Sequence, residues 1–239
     1  MSIMELEGLA QDYDASFLIE PHRHNSDQIV HAIAGIMRVR TEDGIWVVPP
    51  NRALWIPRGV VHAISCVGSV RMRTVYLKGL VRPRPDTCAV WFVTPLMQQV
   101  LVRLADNSDS PIRNSLMCIL MHEIKSINVA PLRLPQPRDP RLRTLCETVM
   151  EDPGSTRTLA AWACSIGMSE RNLIARFQAE TGFTFREWRR QARLLRSLEM
   201  LCVDVDVTQV AFAVGYASTS AFVEAFRLSF GTTPRRYFS

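Results

Sequence analysis

The stretch from Leu159 to Phe226 constrains this chain more than any other, because one pattern is written in it twice. Leu159, Trp162, Ala163, Ile166, Gly167 and Met168 recur at the same spacing as Val207, Val210, Ala211, Val214, Gly215 and Tyr216. One extra residue in the second copy shifts the register, after which Leu173, Phe177, Gly182 and Trp188 recur as Phe222, Phe226, Gly231 and Tyr237. Repetition at this scale marks a supersecondary unit used twice. In each copy the apolar residues follow helical spacing and a glycine, Gly167 or Gly215, permits the left-handed turn. Ser169 and Ser218 then stand where a hydroxyl caps the next helix. That second helix turns Leu173 and Phe177 inward and Glu170, Arg171, Ile174, Ala175 and Gln178 outward. Its repeat leaves Thr219, Ser220, Val223, Glu224 and Arg227 outward. A short outward face behind an N-cap suits insertion into a DNA major groove, the competing reading being a plain helical bundle with glycine turns.

Residues 141–239, including the ending GTTPRRYF at Gly231–Phe238, resemble the DNA-binding domain of the AraC/XylS family of bacterial transcription regulators. The resemblance implies two helix-turn-helix motifs joined by a long helix, here Phe185 to Leu201, with the second helix of each motif in successive major-groove segments. It places Arg171, Ile174 and Ala175, then Thr219, Ser220, Val223 and Glu224, where the family reads bases. Two positions depart from the pattern: the family often has arginine at Ala175 and an apolar residue at Arg176.

The formal charge of +5 is modest, and only Lys78 and Lys125 among the 28 basic residues are lysine. Arginine forks suit phosphate but also follow genome composition, so charge alone says little about nucleic acid. More pointed is the cluster Arg186, Arg189, Arg190, Arg193 and Arg196 on the joining helix, which reads equally as a phosphate-binding face, Arg190 foremost, or as a solvated one. No stretch approaches the ~20 apolar residues that span a membrane, and the acidic start MSIMELEGLAQDYD is unlike a secretory leader, so a cytoplasmic protein is expected. Cys66, Cys88, Cys118, Cys146, Cys164 and Cys202 lack paired spacing and are expected as free thiols, buried rather than bridged.

Residues 17–78 carry short β-rich runs, Gln28–Ala34, Met37–Thr41, Ile45–Val48, Ala53–Ile56, His62–Cys66 and Val70–Leu77, punctuated by glycine and proline. Such a run of strands predicts a small barrel or sandwich. His22 and His24, at alternate positions, face the same way if their segment is a strand, and His62 from a later strand closes a three-imidazole set. With Gln28, Gly35, Pro57 and Gly59 these residues resemble the two cupin signatures, H-x-H-x(3)-E-x(6)-G and P-x-G-x(2)-H, with Gln28 in place of glutamate. A divalent transition metal on His22, His24, Gln28 and His62 is one expectation. A neutral amide can coordinate but removes a charge that would hold the ion, so an organic ligand is the other. Pro49–His62 also resembles the sensor half of a subgroup of the same regulators. Trp46 and Arg52 are candidates for a ligand pocket, whereas Trp55 reads as core and His31 as an ordinary strand residue.

From Ala89 the pattern reads as helical. Leu96, Val100, Leu101 and Leu104 form one stripe and Leu116, Ile119, Leu120, Ile124 and Ile127 another, across the turn-like Asp106–Pro111. These helices are expected to cover the barrel or to pair two copies as a homodimer. Pro131, Pro135, Pro137 and Pro140 then exclude helix and predict a semi-extended linker. The expected organisation is therefore α+β: residues 1–128 a cupin-like barrel (about 17–78) with helices at about 89–128, residues 129–140 a linker, and residues 141–239 an all-α domain with two helix-turn-helix motifs. Leu142, Leu145 and Val149 belong to its lead helix, which Asp152-Pro153-Gly154 ends.

The functional expectation is a non-enzymatic, sequence-specific DNA-binding regulator, activator or repressor, whose partners are double-stranded DNA, a small-molecule or metal effector, a second copy and RNA polymerase. The competing class is a metal-dependent cupin enzyme of dioxygenase type with a helical appendage. Against it stand Gln28 in the acid's place and the absence of a further acid-base pair near the histidines. A nonspecific architectural DNA binder fits poorly with so modest a charge.

Overall fold

The computed structural model describes residues 5–79, 85–106, 111–125 and 132–238, which form two compact units: 1–42 with 46–133, and 43–45 with 134–239.

The first unit contains strands β1 (Glu5–Tyr13), β2 (Leu18–His22), β3 (Asp27–Thr41), β4 (Gly44–Val48), β5 (Arg52–Ile56), β6 (His62–Lys78) and β7 (Ala89–Phe92). Helices α1 (Pro95–Asp106) and α2 (Arg113–Lys125) follow. The sheet is strung on two long antiparallel strands, β3 and β6, which pair from Asp27↔Leu77 to Thr41↔His62. β1 and β2 pair along β6, and β5 joins β3 to β7.

Four differences from the sequence expectation have physical causes. The runs expected to break at Gly35 and Gly68 continue as single strands, because both glycines take positive φ (77° and 70°) and the β3–β6 register shifts around Gly35 instead of ending. β1 lies outside the expected barrel range. It is exposed over most of its outer length and so carries polar residues such as Gln11 and Asp12. Ala89–Phe92, expected as helix, is a strand paired with β5. Leu96 and Ile119, assigned to buried stripes, are exposed, while Met97 and Met117 take the inward positions.

Residues alternating toward the helices, Ile29, Ala53, Trp55, Val75 and Leu77, form one core with Leu101, Leu104, Leu116 and Leu120. Trp55 is fully buried there, as expected. Ile127 and much of the turn at 106–111 lie outside the described residues. In the linker range lies the short strand β8 (Arg133–Pro135), and Pro140, expected to exclude helix, instead opens the next helix, where a first-turn N–H has no intrahelical partner to lose.

The second unit is helical: α3 (Pro140–Glu151), α4 (Leu159–Ser165), α5 (Glu170–Thr181), α6 (Phe185–Cys202), α7 (Val207–Ala213), α8 (Thr219–Phe230) and α9 (Pro234–Tyr237). The repeat survives as geometry. Ser169 and Ser218 accept from Asn172 N and Ala221 N, and Gly182 and Gly231 end α5 and α8 at φ 75° and 77°. Phe177 meets Trp188 edge to face at 5.8 Å and 86°, while its repeat Phe226 meets Tyr237 at 5.5 Å and 89°. α6 begins with a reciprocal capping box between Thr184 and Glu187. All six cysteines are free, as expected; Cys66, Cys88 and Cys146 are buried, but of the others, also expected buried, Cys202 is half-buried and Cys118 and Cys164 are exposed.

Candidate functional site

Three of the four candidate metal ligands converge. Ring nitrogens of His22, His24 and His62 lie within 4.8 Å of one another, and ring centroids of His22 and His62 are 4.3 Å apart. The route differs from a simple strand alternation. His22 ends β2 opposite His62, whereas His24 lies just past the strand. The loop before His62 is fastened to this end of the sheet. Gly59, at φ 80°, donates its N–H to the His24 carbonyl at 2.8 Å, and buried Asp27 accepts from Arg58 N at 2.9 Å and pairs with its guanidinium at 3.3 Å. Those bonds are the physical content of the P-x-G-x(2)-H spacing.

The tautomers are directed as well. His22 Nδ1 faces the Glu20 carbonyl at 2.7 Å and His62 Nδ1 the Val60 carbonyl at 3.0 Å. Carbonyls only accept, so both Nδ1 atoms carry a proton, and it is Nε2 that holds the lone pair of the neutral ring. Nε2 of His62 and of His24 are buried without a hydrogen-bond partner. Burial, with the neighbouring imidazoles adding to it, lowers the His62 pKa to about 4, and burial followed by His22 lowers that of His24. Neutral imidazoles with free lone pairs are the state a metal requires. Bonds of 2.0–2.1 Å to one ion would bring the nitrogens to roughly 3.3 Å, so the rings need to close inward by about 1 Å.

Gln28 is buried, its Oε1 has no partner and its Nε2 makes a long 3.5 Å contact to the Tyr76 hydroxyl. It reaches the histidines through Tyr76, whose ring centroid is 4.8 Å from that of His24. No local sequence pattern marks Tyr76; its position opposite Gln28 across β3 and β6 is what brings it in. Beside it a cavity of about 580 Å³ is lined by Glu7, Leu9, His24, Asn25, Ser26, Tyr76 and Lys78. Trp46 and Arg52 do not line it. Trp46 donates to Thr41 Oγ1, and Arg52 is buried with its guanidinium 3.3 Å from the Phe92 ring centroid. His31 is buried, with Nδ1 at 2.8 Å from the Arg52 carbonyl, as befits a strand residue.

In the helical unit, Gly167 and Gly215 turn each motif at φ 65° and 85°. On α5, Glu170, Arg171, Ile174, Ala175 and Gln178 are all exposed. On α8, Ser220, Glu224 and Arg227 are exposed, while Thr219 and Val223 are half-buried. Glu224 and Arg227 hold each other through two bonds of 3.1 and 3.2 Å, so reading bases requires them to exchange partners. Arg176, where the family pattern is apolar, is exposed and paired with Asp139, the N-cap of α3, at 2.5 Å.

The α6 arginines divide. Arg189 donates to the Ser155 carbonyl, Arg193 to those of Pro153 and Gly215, and Arg196 pairs with Glu199. Arg186 and Arg190 are exposed.

Comparison with known proteins agrees with both halves. An AraC-like ligand binding domain matches residues 4–119 and a helix-turn-helix domain matches residues 162–239. The chain is similar to the HTH-type transcriptional regulator NimR of Escherichia coli, at 32% identity over 220 residues, covering 90% of this chain and 81% of NimR. It is similar to RipA of Corynebacterium glutamicum at 34% over 104 residues, 44% of this chain and 31% of RipA. Fatty-acid-bound ToxT of Vibrio cholerae aligns over 98% of this chain and 94% of its own at 12% identity, with a TM-score of 0.43. These relatives regulate transcription, which removes the enzyme alternative. Among the described residues no helix is long and apolar enough to cross a membrane. A sheet-rich ligand-binding domain followed by two helix-turn-helix motifs, with similarity to such a regulator over 90% of the chain, makes this chain a member of the AraC family of transcription regulators.

Proposed function

We propose that this regulator senses a divalent transition metal, or a small molecule seated beside it, at His22, His24 and His62, and that occupancy biases DNA binding by α5 and α8. The carrying observation is the convergence of three imidazoles at one end of the sheet, with Nδ1 of His22 and His62 directed at carbonyls and Nε2 of His24 and His62 buried and unpartnered. Gln28 and Tyr76 supply uncharged oxygens nearby, and the 580 Å³ cavity has room for an organic effector. An effector shifts the protein only as far as it binds one arrangement better than the other.

On the DNA side, Arg171 reaches guanine, and Ile174, Ala175 and Val223 offer apolar contact to thymine methyls. Glu170, Gln178, Thr219, Ser220, Glu224 and Arg227 complete the two faces, with Arg186 and Arg190 toward phosphates. We place the protein in the cytoplasm as a homodimer, with exposed Leu96, Ile112 and Ile119 at the subunit contact and RNA polymerase as a downstream partner.

Elemental analysis of the tag-free protein and of His62→Ala, each then assayed on DNA upstream of its gene, tests the sensing reading. About one equivalent of metal in the parent, none in the variant, and a changed DNA affinity are expected. No metal in either and unchanged affinity would overturn it. Arg171→Ala should cost about 1–3 kcal/mol on the preferred site and relax specificity there; uniform weakening across sequences would make Arg171 a phosphate contact.

A further inference from the structure

The second unit contains a cleft of about 820 Å³ built on α6 and lying beside the first recognition helix. Its apolar lining comes from Leu159, Ile174 of α5 and Phe185. Tyr216, from the turn of the second motif, lines it as well. Its cationic lining is Arg186, Arg189, Arg190 and Arg193. Among the described residues none of the four forms an ion pair with a carboxylate. The carbonyls of Ser155, Pro153 and Gly215 fix Arg189 and Arg193 in place without themselves supplying a negative charge. Arg189 Nε is buried with no partner. Burial first, and then the charge of Arg193, lower the Arg189 pKa, Asp152 opposing them. Burial likewise raises the Tyr216 hydroxyl against the pull of Arg190 and Arg193.

We propose that this cleft is a second ligand site, which binds an amphipathic organic monoanion of aryl-carboxylate type. The ring lies between Phe185, Ile174 and Tyr216, and the carboxylate is taken by the exposed forks of Arg190 and Arg186. The volume falls in the range of about 300–1,000 Å³ typical of small-molecule sites. A guanidinium binds a carboxylate through two parallel bonds, and an anion relieves repulsion among four like charges beside an apolar wall. DNA phosphates alone would meet Arg186 and Arg190 but leave the apolar lining unused. Ile174 and Arg190 also belong to the proposed DNA face, so an occupied cleft and bound DNA exclude each other. That exclusion rests on the DNA reading above, whereas ligand binding does not.

Calorimetric titration of full-length protein with biphenyl-4-carboxylate tests the site, using the parent, Arg190→Ala, Arg186→Ala and His62→Ala, each checked for an unchanged melt. One equivalent is expected to bind, about tenfold more weakly in each arginine variant and unchanged in His62→Ala. The neutral methyl ester should bind far more weakly. Equal binding by all variants, loss only in His62→Ala, or an ester as tight as the acid would overturn the proposal. So would an Arg190→Ala variant that loses DNA affinity while keeping carboxylate affinity, since the cleft would then be a phosphate contact. Fluorescence polarisation of the upstream duplex gives the second readout, in which the carboxylate should weaken DNA binding. Unchanged DNA affinity at saturating carboxylate refutes the exclusion. A parent protein that binds no duplex refutes the DNA reading, with the titration still deciding the site.

Discussion

Replacing Trp188 with phenylalanine should destabilise the helical unit by about 2–4 kcal/mol, and the reasoning behind that figure can be isolated from simple ring shrinkage. Trp188 is fully buried and its indole N–H donates to the buried Pro135 carbonyl at 2.7 Å. Losing that donor strands the carbonyl, at about 1–3 kcal/mol. The smaller ring leaves a void on the order of 40 Å³, worth about 1 kcal/mol at roughly 24 cal/mol per Å³. Trp162 provides the control: it is 1% exposed, but its Nε1 has no hydrogen-bond partner. Trp162→Phe therefore loses a similar volume while removing an unpaired buried N–H, and should cost about 1 kcal/mol or less. Denaturant titration of the full chain, followed by far-UV circular dichroism to report the helical unit, measures both. Equal losses in the two variants would refute the assignment of the difference to the Pro135 bond. The same bond helps fasten the interdomain segment. Arg143 holds the Pro137 carbonyl and Glu180, from α5, accepts the N–H groups of Arg138 and Asp139 at 2.6 and 2.8 Å.

The two turn glycines should respond unequally. A Cβ at Gly167 meets nothing within 4 Å, so Gly167→Ala carries only the left-handed penalty of about 1–2 kcal/mol, whereas at Gly215 it would lie 2.9 Å from both Arg193 Nη2 and Gly154 Cα and should cost more; equal melting shifts would contradict this. Ser169→Ala and Ser218→Ala should each cost about 0.5–2 kcal/mol through the lost caps, measured by the same titration, and no loss in either would show the caps to be replaceable. Because the folded pKa of His62 is depressed to about 4, the unfolded chain takes up the proton first as pH falls. The His62 contribution is thus complete above about pH 6.5 and lost down to about pH 4, amounting to no more than about 3 kcal/mol. His62→Asn should flatten that part of the pH–stability curve, and parallel curves for parent and variant would refute the link.

The helical half was legible residue by residue because its determinants are local. Caps, turn glycines and inward aromatics act over a few positions, and the repeat states them twice, so α4 through α8 lie where the pattern places them. The sheet was less legible. β1 carries the polar surface of an exposed strand, β7 is only four residues long, and the glycines in β3 and β6 read as ends although positive-φ bulges let both strands continue. Among site residues, the cupin-like spacing identified His22, His24 and His62, but nothing local singled out Tyr76.

By itself the sequence determined the two-part organisation, the doubled DNA-binding unit and the three-histidine set, since each depends on short-range spacing. Tertiary structure alone decided which arginines of α6 remain exposed and which are tied to carbonyls of Pro153, Ser155 and Gly215. It also decided that Arg176 is held by Asp139, that Trp46 donates to Thr41 and that the Arg52 guanidinium lies over the Phe92 ring. The fate of a long polar side chain depends on which carbonyls, carboxylates and rings distant segments bring within its reach, and no local pattern encodes that.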